Sequence, residues 1–538
     1  MTGPGRRFGP GPLVRTTARA RARVKAGRTP GVGSAHAASA GGRSGASAHG
    51  AGPRPHATPS GPRGALASDA SRALIAGRGS AFGATDQQLA DYERGVIDAF
   101  DRIKPTLKAI AACQHERDFE RTAQALAEDR LGHRLPAELL ADAWITGLDL
   151  PRLYAFSLFR AVESVFADFY DNDPLGGQSG AEAFATFLQE CGFHAMDISP
   201  CADGRLAHVV SYVLRLPCGG VRRHPHAGAL FDIEDSVSRW VQIELGRFRE
   251  GVPNTADAPT RYLKVAIYHY SSRDPNAGCA AHGGDTRRAM SAALERLEAF
   301  RTAIQNAFCC GASIDLLLLG LDTDTDALTA HLPDAEGNVA LERRVSVADL
   351  TGTGGDLARL AERLVETARG AGASPPANGM VRLLAQLFAN NLAHLAYLAS
   401  RHGGAHGQGG HAERFIGAGQ GFGEIQLRNL TYLAYLDTVE EGAADLDVGV
   451  GLFRGLNLRH GLPVPVVVRL DFDGRVPGAQ TRAEQRCERV AGAIRARYAD
   501  LAGANHLHTL TMVKDASART APITLADSAC PAPGASGH

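Results

Sequence analysis

Apolar and polar positions change rhythm twice along this 538-residue chain. Up to about residue 70 they show no period at all. From there to residue 172 apolar residues recur at helical spacing, in TDQQLADYERGVIDAFDRIKPTLKAIAACQ, FERTAQALAEDRLG and PRLYAFSLFRAVESVFADFY, until the turn cluster DNDPLGG ends the block. That pattern predicts an all-α region whose aromatic stripes are core. Short apolar runs then alternate with loops and helical stretches. FHAMDIS leads through PCADGR into LAHVVSYVLRL, and RYLKVAIYHY leads through a loop into DTRRAMSAALERLEAFRTAIQNAF and on to SIDLLLLGLD. Strand–loop–helix alternation predicts a mainly parallel sheet covered by helices, with ligands bound beyond the carboxyl ends of its strands. IDLLLLGL is the longest apolar run and has the length of a buried strand rather than of a membrane span.

Composition changes the reading mainly at the start. The formal charge is zero overall, yet Met1 to Ala67 carries eleven Arg or Lys and no Asp or Glu, so the remainder is mildly acidic. A Gly-, Pro-, Ser- and Arg-rich segment without apolar periodicity cannot offset its ordering entropy, and residues 1–70 are read as a disordered basic tail. A transit peptide, a nucleic-acid arm and a docking tail for an acidic protein all fit that composition; a secretory signal does not, for want of an apolar segment. The nine cysteines are odd in number and scattered, which favours metal binding or burial over a disulfide framework. The adjacent Cys309 and Cys310 read as a buried pair.

The candidate chemistry lies in two of the loops. Cys201, Asp203 and Arg205 alternate in CADGR, and His269 ends a predicted strand ten residues before Cys279. Extended backbone would point residues i, i+2 and i+4 to one side. Two thiolates and an imidazole suit Zn²⁺, and three protein ligands leave a fourth position for water, whose pKa then falls to about 7. Asp203 would orient that water and Arg205 would hold Asp203 off the metal. A structural site is the alternative, with His282 or Asp203 as fourth ligand, and unrelated core residues are a third.

At these residues the sequence resembles the carboxysome shell carbonic anhydrases, a divergent branch of the β-class. C-x-D-x-R followed by a later His and Cys is the zinc and dyad signature of β-class enzymes, and HYSS…GCAAHG, GALFDIEDSV, GHAERFIGAGQGF and LRNLTYLAYLDTVEEGAADLDVGV are similar to the carboxysomal family from about residue 70 to 515. The resemblance implies a β-carbonic-anhydrase-like mainly parallel sheet with flanking helices, duplicated in one chain and preceded by an all-α domain. It implies one Zn²⁺ per chain on Cys201, His269 and Cys279, with Asp203 and Arg205 catalytic, interconverting CO₂ and bicarbonate beside Rubisco inside a carboxysome. It also favours a packaging role for the basic tail, on Rubisco or shell proteins, with no nucleic acid or membrane partner, and a homo-oligomer. A scaffold protein with structural zinc and no catalysis is the alternative.

Duplication can be checked within the chain. LKVAIYHYSS (263–272) matches VPVVVRLDFD (464–473), and each precedes a helix expected to open with Thr-Arg and then another strand, SIDLLLLGLD or HLHTLTMVKD. In this register His269 meets Leu470, the Cys279 loop shortens without a Cys, and Cys487 falls inside the helix, so the second copy has no zinc. The expected domains are 71–172 helical, 173–400 catalytic and 401–538 degenerate, ending in a flexible tail from about 516. The glycine-spaced His402, His406 and His411 read as a solvated loop, with His411 a candidate pocket residue.

Overall fold

The computed structural model describes residues 82–530, apart from 83, 142, 175–176, 218, 253–254, 256–258, 309–312, 408, 423 and 425. The basic tail and the Cys309–Cys310 pair lie outside the described residues.

The helical block forms as its periodicity predicts. Helix Asp86–Asp101 opens on a capping box between Thr85 and Gln88, and helices Ile103–Ala112, Phe119–Leu131 and Leu150–Asn172 follow. The last is the spine, with Leu153, Phe159, Val162 and Phe166 essentially inaccessible. It packs on a sheet, because its core cluster also contains Phe415, Val467, Leu510 and Met512.

Two mixed sheets with flanking helices, among them Thr286–Phe308 against the first and Ala479–Arg497 against the second, make up the rest. The first runs β2 (Arg222–Arg223), β1 (Ala195–Pro200), β3 (Arg261–Tyr270), β4 (Ser313–Asp322), β5 (Leu328–Pro333), β6 (Val339–Ser346), with β1 to β4 parallel and β5 and β6 antiparallel. The second runs β11 (Ile523–Asp527), β10 (Leu507–Asp515), β9 (Val464–Phe472), β7 (Phe415–Gly419), β8 (Thr431–Ala434), and only β11 is antiparallel. SIDLLLLGLD is a strand as expected, its last seven residues buried. Among the described residues no helix is long and apolar enough to cross a membrane.

Two local expectations need correction. LAHVVSYVLRL is not a helix: a single π turn, Val209–Val213, is followed by Arg215 at φ 48°. Burial of every residue from Leu206 to Leu216, with three β-branched valines, lets packing override helical spacing. The chain after 516 is not all tail either. Residues 523–527 pair with β10 as β11 and cover what would be an open sheet edge.

Candidate metal centre and active site

β1 and β3 lie side by side in parallel, with Pro200 opposite Ile267, so Cys201 and His269 emerge from the same sheet edge. Cys201 prolongs β1: its N–H donates to the Ile267 carbonyl, and its Sγ accepts from the Gly228 N–H at 3.3 Å. Cys279 opens the short 3-10 turn Ala280–His282 in the loop after β3. The two sulfurs lie 3.7 Å apart, and the donor atoms of Cys201, His269 and Cys279 all fall within 4.8 Å of one another, all buried. Zn–S bonds of about 2.3 Å in a tetrahedron would separate two sulfurs by about 3.8 Å, so the spacing fits that ion.

Electrostatics point the same way. Burial and the neighbouring Cys279 push the Cys201 thiol well up, whereas the hydrogen bond with Cys201 pulls Cys279 down against its own burial. Burial lowers His269, but Asp203 and Cys201 outweigh it and lift the imidazole to about 9. Two sulfurs and a carboxylate around the ring thus favour positive charge at this point, which a divalent cation supplies more completely than a proton.

Asp203 and Arg205 converge through a turn, not through strand alternation. Asp203 caps the 3-10 turn Gly204–Leu206, its Oδ1 accepting the Arg205 N–H at 2.9 Å. The Arg205 side chain then returns on the same carboxylate, Nε to Oδ1 at 3.0 Å and Nη2 to Oδ2 at 2.8 Å. Nη1 donates to the carbonyls of Ala277 at 2.7 Å and Gly409 at 3.4 Å. Burial raises the Asp203 carboxyl, but Arg205 and His269 overcome it and hold the group well below the carboxylate range. Asp203 therefore stays anionic and fixed, with Oδ2 3.2 Å from His269 Nε2.

The family models for carboxysome shell carbonic anhydrases match this chain in three parts: N-terminal over residues 82–170, catalytic domain over 183–411, C-terminal over 412–529. The chain belongs to the carboxysome shell carbonic anhydrase family. A carboxysome shell carbonic anhydrase of Prochlorococcus marinus (strain MIT 9313) is 50% identical over 438 residues, covering 80% of this chain and 85% of the relative. That of Parasynechococcus marenigrum (strain WH8102) is 49% identical, over 83% and 78%. That of Halothiobacillus neapolitanus (strain ATCC 23641 / c2) is 44% identical, over 77% and 84%.

The remaining candidates divide. His411 joins the site, Nε2 3.7 Å from Asp203 Oδ2 and Nδ1 3.0 Å from Glu413 Oε1. His282 is buried against Gly228 and is not among the converging donors. His402 is exposed, but His406 is not solvated: it turns inward to Asp326. Cys487 is buried in helix Ala479–Arg497, donating to the Val468 and Met512 carbonyls. Sequence reading missed Glu413. This buried carboxylate accepts the Gly204 N–H at 3.1 Å and orients His411, and a side chain at Gly204 would collide with it. Its position two residues after His411 was the available signal.

Proposed function

We propose that this chain is a zinc carbonic anhydrase of the carboxysome, catalysing CO₂ + H₂O ⇌ HCO₃⁻ + H⁺ and supplying CO₂ to Rubisco. The observation that carries the reading is the buried, twofold Asp203–Arg205 grip beside two thiols and an imidazole that converge. A closed structural site has no use for that grip. Cys201, His269 and Cys279 are the ligands, and the metal's contribution when bound is to make water acidic near neutral pH.

The protein's own groups do the rest. Asp203, anionic and immobile, accepts a hydrogen bond from the reacting water and sets its direction. Arg205 occupies both carboxylate oxygens, keeping Asp203 from acting as a fourth ligand. His411, less buried than the dyad, is lowered by burial but raised by Asp203 and Glu413, which suits it to take a proton outward.

We also read the two sheets as copies of one unit. The order β2-β1-β3-β4-β5, with β5 reversed, recurs as β8-β7-β9-β10-β11, with β11 reversed. Superposing the strand pairings sets Leu470 at the place of His269 and Gly419 at the place of Cys201. Gly419 has φ +114°, and a Cβ there would fall 2.1 Å from the Arg469 carbonyl, so no thiol fits. The second copy then acts as the built-in partner. The chain around its start supplies His411, at the end of the catalytic-domain match, and Glu413, and its Asn429 and Leu433 N–H groups donate to the Gly204 and Ala202 carbonyls. The domain limits we propose are 71–172, 173–400 and 401 onward, with the basic tail as the packaging contact.

Stopped-flow CO₂ hydration of wild type, Cys201→Ser and Asp203→Ala tests the assignment. Wild type should be fast and both variants slow. Wild type with stoichiometric zinc at Cys201, His269 and Cys279 yet no faster than buffer overturns it and leaves the scaffold role.

A further inference from the structure

A second group of metal-type donors lies away from the thiols. His208 Nε2, His394 Nε2 and His406 Nε2 stand 2.7, 2.9 and 2.8 Å from one atom, Oδ2 of Asp326. Asp326, His208 and His394 are buried, and His406 is 15% exposed. The other carboxylate oxygen of Asp326, Oδ1, is buried and has no hydrogen-bond partner. A small cavity of about 10 Å³ adjoins the cluster, lined by the three imidazoles with Glu93 and Arg428 though not by Asp326, with room for one water-sized occupant.

A carboxylate offers roughly four lone-pair sites spread over two oxygens. An internal hydrogen-bond network gains by using both, whereas here three donors crowd one oxygen and the other stays bare. In the hydrogen-bonded arrangement each Nε2 carries the proton it gives to Oδ2. A bound cation takes the place of those three protons, each ring then keeping its proton on Nδ1 and turning its Nε2 lone pair inward. The buried Asp326 anion also repels any anionic occupant.

We propose that His208, His394, His406 and Asp326 form a second metal site, holding a divalent transition ion of the zinc type. Three imidazole nitrogens and one carboxylate oxygen suit such an ion and not Mg²⁺ or Ca²⁺, which take oxygen ligands. The ligand atoms of His208, His394 and Asp326 lie within 4.8 Å of one another, and His406, 2.8 Å from Oδ2, would move in to complete the set. Tetrahedral bonds of about 2.0–2.2 Å set donors about 3.4 Å apart, so the rings also draw back from Oδ2 by roughly half an ångström. Four protein ligands close the coordination shell, and the site is structural. It fastens four separate segments. His208 follows Arg205 by three residues, Asp326 sits in the β4–β5 turn, and His394 is on helix Asn378–His402. His406 is in the glycine-rich loop that brings the Gly409 carbonyl to Arg205 and His411 to Asp203.

The test is metal analysis of the full-length protein, purified from zinc-supplemented cells and dialysed, together with spectra after cobalt replacement. Wild type should carry two ions per chain. The Cys201→Ser/Cys279→Ser double variant should keep one and lose the thiolate-to-cobalt charge-transfer band. Asp326→Ala and His394→Ala should each lose one ion and keep that band. One ion in wild type with none left in the cysteine variant overturns the proposal, as do two ions retained by Asp326→Ala. Should the Asp326 and His394 variants fail to fold, wild type and the cysteine variant still decide. A missing charge-transfer band in wild type would count against the catalytic centre alone.

Discussion

Arg205 holds Asp203 through two roughly parallel bonds, Nε to Oδ1 at 3.0 Å and Nη2 to Oδ2 at 2.8 Å, with neither side chain more than 3% exposed. A lysine cannot reproduce that fork, since an ammonium is a point donor. Arg205→Lys therefore frees one carboxylate oxygen to swing toward the thiols. CO₂ hydration should fall about 100-fold or more, the range for losing an oriented catalytic group. Metal content, measured alongside, should not change. A variant at wild-type speed refutes the positioning role.

Gly278 sits where the Cys279 loop doubles back. A Cβ on it would lie 2.4 Å from the Gly284 carbonyl oxygen, a backbone atom that no rotamer change can move. The Gly278 carbonyl also accepts from Arg205 at 3.3 Å. Gly278→Ala should displace the Cys279 thiol and weaken zinc binding by about 10–100-fold, as disturbing the support of a ligand does. Competition with a chromophoric chelator measures this, and an unchanged affinity contradicts it.

The ends of strands were the readable part of this site. Cys201 and His269 are placed by apolar runs whose termini the sequence marks clearly, and β3, β4, β9 and β10 fall within two residues of the runs that predict them. The geometry of CADGR was not readable from alternation, because a side-chain-to-backbone bond from Asp203 turns the chain at Gly204. Asp326 and the three histidines around it were beyond reach for another reason. Positions 208, 326, 394 and 406 have no common spacing, and only the packing of three loop segments and a helix brings them together.

His331 makes acid stability testable. The ring is fully buried in β5, Nε2 2.9 Å from the Tyr268 hydroxyl and Nδ1 3.0 Å from the Leu341 carbonyl, and burial pushes its pKa down to about 4. With a folded value below the unfolded 6.5, the neutral ring's contribution is complete above pH 6.5 and is lost as pH falls toward 4. That gap corresponds to about 3 kcal/mol. Glutamine offers one donor and one acceptor without titrating. Denaturant unfolding of His331→Gln should show a shallower loss than wild type between about pH 7 and pH 4.5. Parallel curves would mean that other groups dominate.

Arg469 gives the corresponding test in the second sheet. It is wholly buried, and its guanidinium meets Glu424 at 2.8 and 3.0 Å and Asp471 at 2.9 and 3.2 Å, while Tyr170 from helix Leu150–Asn172 donates to Glu424. Removing the cation alone strands two carboxylates in the interior. Arg469→Ala should therefore cost about 3–5 kcal/mol in denaturant unfolding. Replacing the principal partners together, as Arg469→Met with Glu424→Met, removes one charge of each sign and should recover part of that loss. Asp471 is left without its partner, so recovery should be incomplete. If the single and double variants were equally unstable, the cluster would matter for its shape rather than its charge. CO₂ hydration by the folded double variant should stay near wild type, because the Cys201–His269–Cys279 edge belongs to the other sheet.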